Sequence, residues 1–148
     1  MSRIENRRKI DADPARVFAF LADRSNAPKL VPHLERVWDV QPAQAGVGQT
    51  WRWAFRLFGL PFEGTAKMLE FEPGRRLRFE TVGKLHTFWT YAVAPAAGGS
   101  DVTVTVEHDI PDTVLGKVAD RVALGKLGES STKQVLDNLQ AQMVDKRN

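Results

Sequence analysis

The sequence predicts an α+β fold in which an antiparallel sheet is covered on one face by a long C-terminal helix. Three observations lead to this prediction. Strand-like segments follow one another with short turns rich in glycine and proline, which is typical of antiparallel pairing. Two short helical segments follow the first strand, and the long helical segment is at the C-terminus. Because a sheet must bury one apolar face, this long helix is the element expected to cover it.

The predicted order is one strand, two short helices, six strands and one long helix. The first strand covers residues 3–11, and Asp13 and Pro14 then begin a helix as its N-cap and first helical residue. The apolar face of this helix consists of Val17, Phe18, Phe20 and Leu21. A second short helix is expected near Ser25–Val31. The later strands are predicted at 35–41, 50–58, 62–72, 75–82, 85–95 and 101–109.

The C-terminal segment from Pro111 to about Lys146 is predicted to be helical. Two apolar faces are expected along it, Leu115, Val118 and Val122 on one and Leu136, Leu139 and Met143 on the other. Gly125 and Gly128 lie between them, and each costs about 1 kcal/mol in a helix relative to alanine, so a continuous, a kinked and a broken helix are all left open there. The small residues that continue to Thr132 either make a weak exposed helix or leave room for a ligand above the sheet.

Composition limits the classes of protein to be considered. With 148 residues, one domain spanning 1–148 is expected. Cysteine is absent, which excludes disulfides and thiolate chemistry and suits a cytoplasmic location. No apolar run approaches the roughly 20 residues of a membrane helix, and the charged N-terminus does not resemble a signal peptide. The net charge of +3 is typical of ordinary solubility.

Large rings alternate with arginines in WRWAFRLFGLPF, residues 51–62. In a strand, residues two apart share a face, so Trp51, Trp53, Phe55 and Leu57 lie on one face. Arg52 and Arg56 lie on the opposite face. A platform for single-stranded nucleic acid needs rings beside the basic groups that reach phosphates. Alternation separates the two sets, so no nucleic-acid partner is expected and the rings are predicted to face the helix.

Other strands are predicted to contribute inward side chains to the same interior. Val104, Val106 and His108 share a face of strand 101–109, and Trp89 and Tyr91 share a face of strand 85–95. Phe79 and Met68 are expected to face inward from the two strands between residues 62 and 82. His108 and Tyr91 are therefore the candidate proton-transfer groups.

Three charged or polar residues have undecided positions. Asn6 and Arg8 share a strand face with Ile10, so burial of Ile10 would turn them inward. Since an unpaired buried arginine is very unfavourable, Arg8 either reaches solvent or meets a carboxylate, which could belong to a ligand. Glu70 follows Met68 inward unless it lies at the sheet edge.

The turn after the ring-bearing strand is apolar. Its residues are predicted to form an apolar lip at one end of the fold, comprising Leu57, Phe58, Leu60, Pro61 and Phe62. Such a patch is a ligand entrance, a transient membrane contact or a dimer interface. A monomer and a homodimer are both left open.

Five stretches across the chain resemble a known family: IDADPARVFAFLADRSNAPKLVPHL, GVGQTWRW, EFEPGRRLRFE, WTYAVAP and DVTVTVEHDIPDTVLGKVADRV. They are similar to the helix-grip (SRPBCC) superfamily, which includes START lipid-binding domains and the birch pollen allergen, and most closely to its polyketide cyclase/dehydrase branch. The resemblance implies a curved seven-stranded antiparallel sheet, in the order 1-7-6-5-4-3-2, gripping the C-terminal helix. It also implies a hydrophobic cavity between them, and ligand pockets usually measure about 300–1,000 Å³.

Motifs for metal, cofactor or nucleophilic chemistry are weak. His33, His86 and His108 are far apart in sequence and have no cysteine beside them, so no metal site is predicted. The glycines around Val47 are too few for a phosphate-binding loop, and no cofactor is expected. Gly128-Glu129-Ser130 lacks the second glycine and the preceding strand of a nucleophile elbow.

Three functions are compatible with these observations. The first is a carrier or sensor that binds a small hydrophobic, lipid-like or aromatic ligand. The second is a polyketide cyclase or aromatase that uses the same cavity, with His108 and Tyr91 in proton transfer. The third is a membrane-associated accessory protein for a quinone or lipid. The residues predicted to line the cavity are Trp51, Trp53, Phe55, Met68, Phe79, Trp89, Tyr91, Val104, Val106, His108, Leu115, Val118 and Val122.

Overall fold

The computed structural model describes residues 2–57, 59–83, 85–109 and 121–145. Within these ranges, the side chains of Ser2, Asp109, residues 121–128 and Asp145 are not described.

Seven strands form one antiparallel sheet in the order β1-β7-β6-β5-β4-β3-β2, which confirms the predicted strand order. The first strand pairs with the last, and Ile10 of β1 lies opposite Ser100 of β7. The other neighbours are consecutive strands joined by short turns, as the distribution of glycines predicted. The strands are β1 (Ser2–Ile10), β2 (Leu34–Gln41), β3 (Thr50–Leu57), β4 (Leu60–Glu72), β5 (Arg76–Gly83), β6 (His86–Ala96) and β7 (Gly99–Asp109).

Two short helices connect β1 to β2: α1 (Pro14–Ala22), then a 3₁₀ turn (Arg24–Asn26), then α2 (Ala27–Leu30). Asp13 occupies the N-cap position of α1, but its side chain makes no capping hydrogen bond, so the predicted side-chain cap is wrong. The main chain starts this helix instead, because the carbonyl of Asp13 accepts the first bond from Val17 N at 3.0 Å and Pro14 fixes a helical φ.

The C-terminal helix, α3 (Arg121–Asp145), continues through Gly125 and Gly128, so it is not broken at these glycines. Its second half buries Val135, Leu136, Leu139 and Met143. The free energy of that packing exceeds the roughly 1 kcal/mol that each glycine costs. The predicted start at Pro111 and the predicted face residues Leu115 and Val118 lie outside the described residues, as does the side chain of Val122.

Aliphatic side chains fill the half of the interior between α1, α3 and strands β1, β6 and β7. We call this half the closed core, and its members are at most 1% exposed: Ile10, Val17, Leu21, Val102, Val104, Leu139 and Met143. The inner face of β7 is therefore the valine face, as predicted.

Glu70, whose position the sequence left undecided, does not follow Met68 inward. A register shift in β4 separates the pair Met68–Phe79 from the pair Glu70–Arg78. Because a bulge adds one residue to a strand, it exchanges the faces of the side chains beyond it. Glu70 therefore joins the outward arginines, and its Oε1 lies 2.8 Å from Arg76 Nη1.

Asn6 and Arg8 face α3 rather than a ligand. The side-chain amide of Asn6 donates a hydrogen bond to the hydroxyl of Thr132. Arg8, whose side chain is 39% exposed, forms an ion pair with Asp137. The carboxylate that Arg8 meets is therefore that of Asp137 in the protein itself and not that of a ligand.

Candidate functional site

A cavity of about 160 Å³ lies beside the closed core, and its lining comes from strands β1, β2, β3, β5, β6 and β7, the segment from Arg24 to Pro32, and α3. It is smaller than the roughly 300–1,000 Å³ usual for ligand pockets. Its volume is close to that of an apolar cavity of about 150 Å³ that holds benzene. The lining residues are mostly apolar or aromatic: Ile4, Arg24, Ala27, Val31, Pro32, Leu34, Val37, Trp51, Trp53, Phe55, Leu57, Phe79, Thr81, Leu85, Thr87, Trp89, Val106, His108 and Ser131.

Aromatic rings from strands β3, β5 and β6 form one wall of the cavity. The rings of Trp51 and Phe79 meet edge to face, with centroids 5.1 Å apart. Phe79 and Trp89 are parallel, with centroids 6.3 Å apart and planes 3° from each other. Such ring pairs add about 0.5–1.5 kcal/mol beyond the area they bury, so this wall is held in one arrangement.

The indole of Trp53 is fixed by a neighbour that has no side chain. Gly64 lies directly opposite Trp53 in the β3–β4 pair, and Trp53 Nε1 donates to the carbonyl of Thr65 at 2.9 Å. A Cβ atom on Gly64 would lie 2.0 Å from the carbonyl oxygen of Val82 and 2.6 Å from the indole ring. Glycine at position 64 is therefore what lets the ring lie across β4.

The arginines of the ring-bearing segment lie on the other face of the sheet, as alternation predicts. Arg52 is exposed, and its guanidinium lies 5.5 Å from the ring centroid of Trp38. Arg36 lies 3.9 Å from the same ring. Trp38 is therefore the one tryptophan of the chain's four that is outside the cavity wall.

Arg24 is a cavity residue that the sequence interpretation missed. It is only 4% exposed. Its Nη1 donates to the carbonyl of Leu21 at 3.0 Å, and its guanidinium lies 4.5 Å from the ring centroid of Phe79 and 5.3 Å from that of Trp51. Its Nε makes no hydrogen bond to any described group. Burial lowers the pKa of Arg24 from its ordinary value.

Tyr91 lies behind the aromatic wall and interacts electrostatically with Arg24. It is 1% exposed, and its hydroxyl has no hydrogen-bond partner among the described residues. Burial raises the pKa of Tyr91 to about 12, although the charge of Arg24 acts in the opposite direction. The hydroxyl therefore keeps its proton at neutral pH and is a poor proton donor in acid–base catalysis.

The remaining polar groups of the wall are few. Thr81 donates to the carbonyl of Leu85 at 3.3 Å and accepts from the backbone N–H of Thr87 at 3.1 Å. The hydroxyl of Thr87, which shares a hydrogen bond with that of Thr81, and the side chains of His108 and Ser131 complete the set. Ser131 is one of the small residues in α3 that were considered as making room for a ligand, and it does border the cavity.

The cavity brings together most of the residues predicted to line it, namely Trp51, Trp53, Phe55, Phe79, Trp89, Val106 and His108. Met68, Tyr91 and Val104 are not on its wall, which corrects their predicted placement. They share the inward face of their strands, but their side chains are covered completely by other core residues. Leu115, Val118 and the side chain of Val122 lie outside the described residues.

The predicted apolar lip is not exposed in its described part. Leu57 and Phe62 are only 5% and 4% exposed, because the hairpin turns both side chains to the interior. Leu60 is half-buried, Pro61 alone is exposed, and Phe58 lies outside the described residues. Among the described residues of the predicted lip, only Leu60 and Pro61 are therefore accessible to a ligand, a membrane or a second copy of the chain.

The described part of the chain contains neither a metal site nor a membrane-spanning helix. Within it, no three histidine, aspartate or glutamate side chains come together as a metal site would require. No helix there is both long enough and apolar enough to span a bilayer.

A family model described as polyketide cyclase/dehydrase and lipid transport matches residues 1–144. The chain belongs to this family. The resemblance seen in the sequence is thereby confirmed, and the seven-stranded sheet with its C-terminal helix is the helix-grip fold that the resemblance implied.

Solved structures of this polyketide cyclase/dehydrase fold superpose over nearly the whole chain. A protein from Thermus thermophilus has a TM-score of 0.82 at 21% identity, covering 99% of this chain and 100% of that one. An aromatase/cyclase from Streptomyces has a TM-score of 0.75 at 13% identity, covering 99% and 96%. A di-domain aromatase/cyclase from the steffimycin biosynthetic pathway has a TM-score of 0.78 at 12% identity, covering 98% of this chain and 51% of that one. At these identities the likeness shows the fold alone. No curated protein sequence matches the chain.

Proposed function

We propose that this member of the polyketide cyclase/dehydrase and lipid transport family binds a small hydrophobic, ring-bearing ligand in the cavity and acts as its carrier or sensor. The observation that supports this proposal is the aromatic wall around a space of about 160 Å³. At about 24 cal/mol per Å³, a cavity of this size lowers the free energy of unfolding by about 4 kcal/mol relative to a filled interior. A ligand that fills the cavity recovers part of that loss.

Calorimetric titration with toluene tests this proposal. We expect the wild-type protein to bind toluene, and we expect Ser131→Phe to abolish binding because Ser131 borders the cavity and a benzyl group occupies the same space. Ser130→Phe is the matched control, since Ser130 is the exposed neighbour on the same helix. Failure of the wild type to bind toluene, or equal loss in both variants, would contradict the proposal.

A cyclase-type enzyme is the second candidate, and the observation that favours it is the position of His108 on the cavity wall. Cyclisation of a polyketide chain needs removal of a proton next to a carbonyl, and an imidazole at the wall can accept it. Acetophenone in D₂O provides the test by NMR. Enzymatic exchange of its methyl protons that disappears in His108→Gln, with toluene binding retained, would support catalysis. No exchange above buffer would leave binding as the function.

A further inference from the structure

We infer that the ligand carries a carboxylate and that Arg24 binds this group, so that the ligand class is a one-ring aryl carboxylic acid. This inference rests on the proposed function, because it concerns the same cavity, and it narrows the chemistry of what the cavity holds. The argument depends on the surroundings of Arg24, the volume of the cavity and the nature of its wall.

The guanidinium of Arg24 is a buried charge that forms no ion pair with a described side chain. The neighbouring Asp23 attracts it, but the effect of burial on its pKa is larger, and the carboxylate of Asp23 is exposed and accepts hydrogen bonds from Ser25. Among the described residues, no carboxylate lies within 4.0 Å of it in an ion pair, whereas Arg8, Arg76 and Arg78 each have at least one. The surroundings give Arg24 one carbonyl and two ring faces, and they leave Nε unbonded. A buried charge is expensive unless it is paired, and the ring faces supply only part of the compensation.

A bound anion supplies the missing countercharge. Arginine presents its donors in a planar fork that matches the two oxygens of a carboxylate. The buried hydroxyl of Tyr91 next to Arg24 also lacks an acceptor, so this region of the interior has an excess of donors. An acceptor-rich ligand group therefore suits Arg24 better than a further donor or an alkyl group.

The rest of the cavity determines the remainder of the ligand. Its volume of about 160 Å³ accommodates one ring rather than a fused polycycle. The parallel rings of Phe79 and Trp89 give a flat wall beside the guanidinium, against which a planar ligand can pack. A carboxylate attached directly to one aromatic ring satisfies both the charge and the shape.

The test compares three probes of nearly equal size: benzoate, its neutral amide benzamide, and toluene. Calorimetric titrations at pH 7 use the wild type, Arg24→Met, Arg24→Lys and the control Arg52→Met. Arg52 is exposed on the opposite face of the sheet. We expect wild type to bind benzoate at least tenfold more tightly than benzamide. We expect Arg24→Met to lose at least tenfold more in benzoate affinity than in toluene affinity, Arg24→Lys to lose less benzoate affinity than Arg24→Met, and Arg52→Met to match wild type.

The outcomes separate this inference from the proposed function. Toluene binding with equal affinities for benzoate and benzamide in the wild type would overturn the carboxylate inference and leave the proposed function standing, and this comparison needs no variant. No binding of any probe would contradict both. Benzoate binding that appears only in Asp112→Asn or Asp120→Asn, two acidic residues outside the described ranges, would show that the chain itself pairs with Arg24 and would overturn the inference.

Discussion

The closed core and the cavity are two halves of one interior, and they are filled by different means. In the closed core, two helices of nine and 25 residues, α1 and α3, cover aliphatic side chains on β1, β6 and β7. Over β2 to β5, the described covering elements are the three-residue 3₁₀ turn, the four-residue α2 and the part of α3 around Ser131, and the sheet presents indole and phenyl rings. Flexible aliphatic side chains fill the closed core, whereas stiff rings enclose a cavity in the other half.

This comparison shows how one curved sheet combines stability with a binding site. The closed core holds the fold together through close packing. The aromatic half keeps its shape through ring contacts and through backbone features such as Gly64. The order of its side chains therefore does not depend on close packing of the whole space. Changes in the two halves should therefore have separable effects on stability and on binding.

Leucine truncation in each half gives the largest expected contrast. Leu139→Ala in the closed core should lower the free energy of unfolding by about 4 kcal/mol, near the upper part of the range for buried leucine. Leu85→Ala on the cavity wall should lower it by only about 2 kcal/mol, because Leu85 already borders open space. Urea unfolding measures both values, and toluene affinity should be unchanged in Leu139→Ala. Equal losses of stability in the two variants would show that the halves are packed alike.

Gly64→Ala should destabilise the aromatic half by about 3 kcal/mol, because the added Cβ collides with backbone as well as with the indole of Trp53. Gly46→Ala is the control, since a Cβ there meets nothing within 4 Å. Thermal unfolding monitored by tryptophan fluorescence measures the difference. A Gly64→Ala protein as stable as Gly46→Ala would contradict the role assigned to this glycine.

Strand alternation was sufficient to place the aromatic wall. Trp51 and Trp53 point inward because residues two apart in a strand share a face, and this rule needs no knowledge of the partner strands. The same rule failed at Glu70, because the bulge between Met68 and Glu70 exchanges faces and leaves no clear mark in the sequence. The exposure predicted for Phe62 in the apolar turn after Leu57 was wrong, because the inward direction of this side chain depends on a tight hairpin between β3 and β4.

Arg24 could not have been identified from the sequence. It lies in the polar stretch Asp23–Asn26, where a solvent-exposed arginine is the ordinary expectation. Its burial follows from how the 3₁₀ turn lies against the rings of Trp51 and Phe79, which is a tertiary contact. Tyr91 and Val104 were placed on the correct face, but only the packing of the closed core shows that they are covered.

Alkaline pH should weaken the fold through Tyr91. The pKa is 10.0 for an ordinary tyrosine and about 12 in the folded protein, so between these values the unfolded chain loses a proton that the folded chain keeps. Stability should therefore be unaffected below about pH 10 and fall by about 2–3 kcal/mol as pH rises through this window. Because Tyr91 is the single tyrosine, absorbance near 295 nm follows its ionisation directly. Tyr91→Phe should lose this part of the pH dependence, and an unchanged slope would contradict the assignment.

The ion pair between β1 and α3 should have the smallest effect. Arg8 and Asp137 have side chains 39% and 57% exposed, so water screens their attraction. Arg8→Gln should change the free energy of unfolding by less than about 1 kcal/mol and leave toluene and benzoate binding unchanged. A loss of benzoate binding in this variant would show that Arg8, rather than Arg24, is the anion-binding residue.

The indole N–H signals of the four tryptophans test the central claim most directly, because they report from both faces of the sheet. Trp51, Trp53 and Trp89 line the cavity, and Trp38 lies on the opposite face. In ¹⁵N-labelled protein titrated with toluene, we predict saturable shifts of the three cavity signals and no shift of the Trp38 signal. Unchanged signals from Trp51, Trp53 and Trp89, or a shift confined to Trp38, would contradict a ligand-binding cavity behind the aromatic wall.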